Sequence, residues 1–188
     1  MSLIAGLRWI LGVAALALLV PIADASAEER VCRSRIGAVT VDNLRVPQGA
    51  TCRLEGTRVK GTIKVERAAT LNALRVVVIG NVQAENAQSV SVTSGSRVGG
   101  SIQVKQGGRA TVSGSTVDGS IQLESNRAQQ RVASNRVGAD VQAFQNTGGV
   151  TISSNRIDGN LQCKANRPAP TGSGNVVQGN KEDQCRRL

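Results

Sequence analysis

The sequence predicts an all-β fold: a single-stranded right-handed parallel β-helix, or β-solenoid, of about 20 residues per turn and about 7–8 turns, with disulfide-capped ends. Three observations lead there. The motif V-D-G-S-I-Q-L at 117–123 recurs as V-G-G-S-I-Q-V at 98–104, V-G-A-D-V-Q-A at 137–143 and I-D-G-N-L-Q-C at 157–163. Its central position steps by nineteen or twenty residues through Gly61, Gly80, Gly100, Gly119, Ala139, Gly159 and Gly179. Apolar residues flank that position with period 2: Val59, Val78, Val98, Val117, Val137, Ile157 and Val177 two before, then Ile63, Val82, Ile102, Ile121, Val141 and Leu161 two after. Val65, Ala84, Val104, Leu123, Ala143 and Cys163 continue the alternation four after. Period 2 nested in a period near twenty stacks like on like, which an antiparallel sandwich has no reason to do.

Taken in order, residues 1–27 read as a signal peptide. Arg8 precedes the apolar run Trp9–Val20, Pro21 breaks it, and Ala25-Ser26-Ala27 is a small-x-small cleavage site. The mature chain is then expected in the periplasm or outside the cell, with no membrane span after cleavage. Residues 28–56 read as an amino-terminal cap and first turn, with a strand over Ile36–Val41. Residues 57–179 carry the repeats, and 180–188 form a polar capping tail. Stacking at about 4.8 Å per turn gives a rod about 35 Å long. A turn near twenty residues without strict six-residue periodicity favours the right-handed coil over the left-handed hexapeptide kind. Ser94-Gly95-Ser96, Ser113-Gly114-Ser115 and Ser153-Ser154-Asn155 mark corners; Asn135, Asn155 and Asn175 fall in one column, where Asn tolerates left-handed backbone and stacks its amide.

The four cysteines form an even set in a chain bound for an oxidising compartment. Of three possible pairings, Cys32–Cys52 and Cys163–Cys185 close the shortest loops, each at one end of the rod, where exposed backbone must be blocked. With no histidine and no C-x-x-C spacing, no metal site is expected. No cofactor is called for either.

Three outward columns compete for function. Gln83, Gln103, Gln122, Gln142 and Gln162 stand between two inward columns, as an exposed amide ladder or as a flat polar contact face. Arg58, Arg97, Arg136 and Arg156 precede the inward valines and point outward along one edge, suited to successive phosphates or carboxylates. Asp118, Asp140 and Asp158 are the carboxylates to which acid/base or Ca²⁺ chemistry would fall; no catalytic residue is assigned. Glu85, Lys105 and Glu124 share a further column that reads as a charge ladder.

The motif run over about Thr57–Gly179 resembles small secreted bacterial right-handed β-helix proteins of unassigned function. More distantly, it is similar to the solenoids of bactofilins and of the pectate-lyase-like superfamily. That resemblance implies the architecture. The signal peptide and disulfides set the chain apart from bactofilins, and its short length and missing catalytic set from the lyases.

The net charge of +10 favours polyanionic partners. Phe144 is the only aromatic residue after residue 27, which argues against nucleic acid and against an aromatic sugar platform. Without histidine, a Ser-His-Asp arrangement is excluded. The expectation is a secreted, non-catalytic structural or binding protein associated with an anionic envelope or extracellular polymer. A lyase or hydrolase of acidic polysaccharide and a self-associating fibre subunit are the alternatives.

Overall fold

The computed structural model describes residues 28–188. The signal peptide expected over 1–27 lies outside the described residues. The described chain is an all-β parallel solenoid of about seven turns, without a helix. Each turn passes through three sheets. Sheet I has nine strands, sheet II seven and sheet III eight. One turn contains Val82–Glu85 in sheet I, Ser89–Thr93 in sheet II and Arg97–Val98 in sheet III. The next turn stacks on it in parallel: Val82 lies opposite Ile102, Ser89 opposite Arg109 and Arg97 opposite Thr116.

The apolar columns face inward, as the period-2 pattern requires. Ile63, Ile102, Ile121, Leu161, Val98, Val117 and Ile157 are fully buried. Sheet II adds inward columns of its own, including Leu71, Val90 and Ala110 beside Ala73, Val92, Val112, Val132 and Ile152. Each buried branched side chain stabilises by about 1.5–3 kcal/mol. One polar residue enters a sheet II column. Gln130 sits between Ala110 and Val150; its Nε2 donates to Gly108 O and Ala128 O, while Oε1 has no protein partner.

Three corners join the sheets; two share one device and the third uses another. Between sheets I and II one residue per turn takes left-handed backbone: Asn86, Gln106, Ser125, Gln145 and Ala165 have φ of 54–57°. Between sheets II and III the same role falls to Arg75, Ser94, Ser134 and Ser154, and to Gly114 and Gly174. The asparagines expected to tolerate that conformation follow it instead. Asn135, Asn155 and Asn175 point inward and are buried, because their amides have better work inside the corner. Asn135 N and Nδ2 both donate to Asn155 Oδ1 at 3.0 Å, and Asn155 Nδ2 also reaches Val132 O at 2.9 Å. A second buried ladder, Asn126–Asn146–Asn166, lines the other corner and ends on Gln184 Oε1.

The third corner explains the glycine column. Its outer residue sends a side-chain oxygen beneath the glycine of the next turn to accept an amide. Thr62 N donates to Asn43 Oδ1, Ser101 N to Asn81 Oδ1, Asn160 N to Asp140 Oδ1 and Asn180 N to Asn160 Oδ1. A Cβ on Gly100 would lie 2.3 Å from Asn81 Oδ1, and one on Gly179 2.4 Å from Asn160 Oδ1. Where the column holds Ala139, its amide reaches Gly119 O at 3.3 Å, against 3.0 Å for Gly159 to Ala139.

Ile36–Val41, expected as one strand, is two. Arg35–Ile36 joins sheet II, Thr40–Val41 joins sheet III, and 37–39 turn the corner, because the first turn already follows the three-sheet path. Cys32 bonds Cys52 and Cys163 bonds Cys185, each linking consecutive turns; all four are buried. At the carboxyl end Lys181–Asp183 is the last strand of sheet I, after which Cys185 and Leu188 fold onto the core.

Candidate functional site

With the interior closed, chemistry is confined to the three outer faces. The arginine column is real: Arg58 and Arg97 flank Val77 in sheet III, Thr116 follows, and Arg136 lies beside Arg156. Its charge, however, is largely answered within the face. Arg97 Nη2 donates to Asp118 Oδ2 at 3.0 Å. Arg136 and Arg156 share Asp158 at 3.7 and 3.8 Å, and Gln178 Nε2 donates to the same carboxylate at 3.1 Å. Among the described residues Arg58 has no carboxylate partner. These pairs are solvent-exposed, worth about 0–1 kcal/mol each, so an incoming anion can displace them. One turn lower, the Lys60 ammonium 2.9 Å from Asp42 holds that carboxyl below the usual carboxylate range.

The three aspartates do not share a site. Asp118 and Asp158 belong to the arginine face, two turns apart, whereas Asp140 is a rung of the glycine-corner ladder, accepting from Asn160 N at 2.7 Å. Asn81, Ser101 and Asn160 perform the same task elsewhere in that column, so it needs an oxygen acceptor and no particular charge. Among the described residues no group of three or more His, Cys, Asp or Glu side chains is placed to hold a metal ion.

On sheet I the glutamines stack in register. The ladder is bonded only in its later turns: Gln122 Nε2 donates to Gln142 Oε1, Gln142 Nε2 to Gln162 Oε1, and Gln162 Nε2 to Glu182 Oε2, at 3.1, 2.8 and 2.8 Å. Gln83 and Gln103 instead line an open depression of about 680 Å³ with Lys64, Arg67, Glu85 and Lys105. The neighbouring column runs Glu85, Lys105, Glu124, Phe144, and Lys105 pairs with Glu124 at 3.1 Å. The depression carries mixed charge and opens directly to solvent.

Sheet II was missed from sequence. Its outer face carries Arg53, Asn72, Ser91, Thr111, Arg131 and Thr151 in one column, with Ser89 and Arg109 in the next. The signal that would have found it is the inward series Val92, Val112, Val132, Ile152, whose steps near twenty match those of the glycines.

Fold and faces together define a small parallel β-solenoid protein with polar outer surfaces. Comparison with protein-family models, curated proteins and solved structures returns no match for this chain.

Proposed function

We propose that this protein is a secreted, non-catalytic structural or binding module, a right-handed solenoid closed at its ends by its disulfides, that associates with an anionic envelope or extracellular polymer. One observation carries the reading. The chain holds a net charge of +10, to which Arg8 and Asp24 of residues 1–27 add nothing net, and among the described residues no Lys, Arg, Asp or Glu lies in the buried interior, so their excess is presented on the outer faces. Two disulfides suit an oxidising compartment. Arg58, Arg97, Arg136 and Arg156 contribute to the polyanion contact by exchanging Asp118 and Asp158 for groups of the polymer, and the glutamine face offers a flat flank. The purified mature protein should be retained on an acidic polysaccharide column at about 50 mM salt and released by about 200 mM, since counterion release makes such binding steeply salt-dependent. Flow-through at low salt rejects the reading.

A second reading, self-association into a fibre, draws on the apolar ends. Three of the four exposed large apolar residues, Val31, Val39 and Val176, lie in the terminal turns. Sedimentation as a monomer at high protein concentration removes it.

A further inference from the structure

We infer that the outer face of sheet II, centred on Arg109, Arg127 and Arg131, is the docking surface for the polymer, and that this polymer is a linear acidic polysaccharide. The inference rests on the polyanion reading above and assigns it to a face other than the arginine column of sheet III.

The two basic surfaces differ in what already occupies their cations. Along sheet III each aspartate neutralises a cation: Asp42 pairs with Lys60, Asp118 with Arg97, and Asp158 with Arg136 and Arg156. On sheet II the strands Thr70–Leu74, Ser89–Thr93, Arg109–Ser113, Gln130–Ala133 and Val150–Ser153 contain no acidic residue at all. Glu55 is the one acid on that sheet, and Arg35 and Arg75 both bind it. Arg109 and Arg131 lie on adjacent strands, Arg131 opposite Thr111, which places their Cα atoms about 5 Å apart across the sheet and about 7 Å along it. Arg127 stands at the corner leading into the same sheet, where Thr147 and then Arg167 stack beneath it. All four arginines are exposed, and among the described residues none has a carboxylate within ion-pair distance.

A guanidinium without a partner keeps its full fork of donors for a ligand, so it pays no exchange cost on binding. Between the forks the face is lined by hydroxyls, Ser89, Ser91, Thr111, Ser113 and Thr151, each able to donate and accept. A sugar chain bearing both hydroxyls and anionic groups matches that mixture. Nucleic acid would lack a stacking partner, since Phe144 is on sheet I. A membrane would find no exposed large apolar side chain here, because Val31, Val39, Ile79 and Val176 all lie off this sheet.

The test compares two charge-matched variants of the mature protein. One carries Arg109→Gln, Arg127→Gln and Arg131→Gln; the other carries Arg97→Gln, Arg136→Gln and Arg156→Gln. Binding is measured to heparin, polygalacturonate, neutral dextran and duplex DNA at fixed salt, with thermal unfolding to verify that both variants fold. The expected result is about tenfold or greater weakening toward heparin or polygalacturonate for the sheet II variant and about twofold or less for the sheet III variant, which loses its carboxylates' partners as well as its own charge. Which of the two polymers binds tighter identifies sulfate or carboxylate as the preferred group. Equal weakening by both variants, or tighter binding to DNA than to either polysaccharide, overturns the assignment to this face. Wild-type protein that binds none of the polymers overturns the polyanion reading itself.

Discussion

The early and late turns of the rod close the same corners with different chemistry. From Asn126 onward both inner corners are laced by asparagine, and the glutamines of sheet I bond one another to Glu182. Before that point the equivalent places hold Ala87 and Gly107 in one corner and Thr57, Val76, Ser96 and Ser115 in the other. There the backbone leans on hydroxyls, as where Val76 N donates to Ser96 Oγ at 3.2 Å, and on surface ion pairs such as Arg45 with Glu29 and Glu66. The lesson is that a solenoid corner specifies a hydrogen-bonding task and leaves the residue open. An amide performs it with two donors and an acceptor inside the protein, where such bonds are strongest and an orphaned group costs most.

The comparison breaks first at Asn146. Replacing it by Ala strands the amides of Asn126 and the carbonyl of Leu123, and should cost about 3 kcal/mol in chemical denaturation. Ser96→Ala, in the early half, should cost about 1 kcal/mol, because it removes one long acceptor contact and one hydroxyl bond to Thr93 O. Equal costs would mean that the two chemistries are equivalent. The glycine column comes next. Gly159→Ala drives a Cβ to 2.4 Å from Asp140 Oδ1 and should lower stability by about 2 kcal/mol, while Ala139→Gly should be neutral or better despite glycine's backbone entropy. The smallest effect concerns acid. Asp42 has a depressed folded pKa, through its hydrogen bond and charge contact with Lys60, so its contribution is complete above the ordinary value of 3.8 and is lost as pH falls through the lower folded value. Hydrogen exchange below about pH 4 should therefore rise in the first turns before the asparagine-laced ones, and Asp42→Asn should flatten that difference.

Sheets I and III could be read from sequence because both are anchored to the glycine corner, at constant offset from it. Val98 and Ile102 keep their distance from Gly100 as Ile157 and Leu161 do from Gly159. Sheet II keeps no such constant offset from the glycine, for two physical reasons. Its inward column lies ten residues after the glycine at Leu71, Val90 and Ala110 but eleven at Gln130 and Val150, because the corner after Asn126 takes one more residue than the corner after Gly107. Gln130 also puts a polar side chain where the pattern demands an apolar one. Arg109 and Arg131 lie in different columns, nine and twelve residues after their glycines, and only one of those three residues is the slip, so no single-offset scan pairs them. Asp140 was grouped with Asp118 and Asp158 by charge, although it lies two positions further along the motif, in a column that selects for a short oxygen acceptor.

The ladders also have a direction. Inside the two asparagine corners each laddered amide splits its donors: one goes forward to the acceptor of the later turn, a series that ends on Asn175 Oδ1 and Gln184 Oε1, and the other goes back to a carbonyl of the earlier turn, as from Asn155 to Val132 O; along sheet I the forward series stops on Glu182, a carboxylate that only accepts. At the glycine corner the donors run the opposite way, back to Asn43. A copied turn spliced between Gly119 and Gly159 would find a matching donor on one side and a matching acceptor on the other in each series. On sheet I a turn appended beyond Lys181 would meet Glu182, a carboxylate with no proton to give. A duplicated turn thus fits the ladders in the middle of the rod, where each rung meets its own kind on both sides.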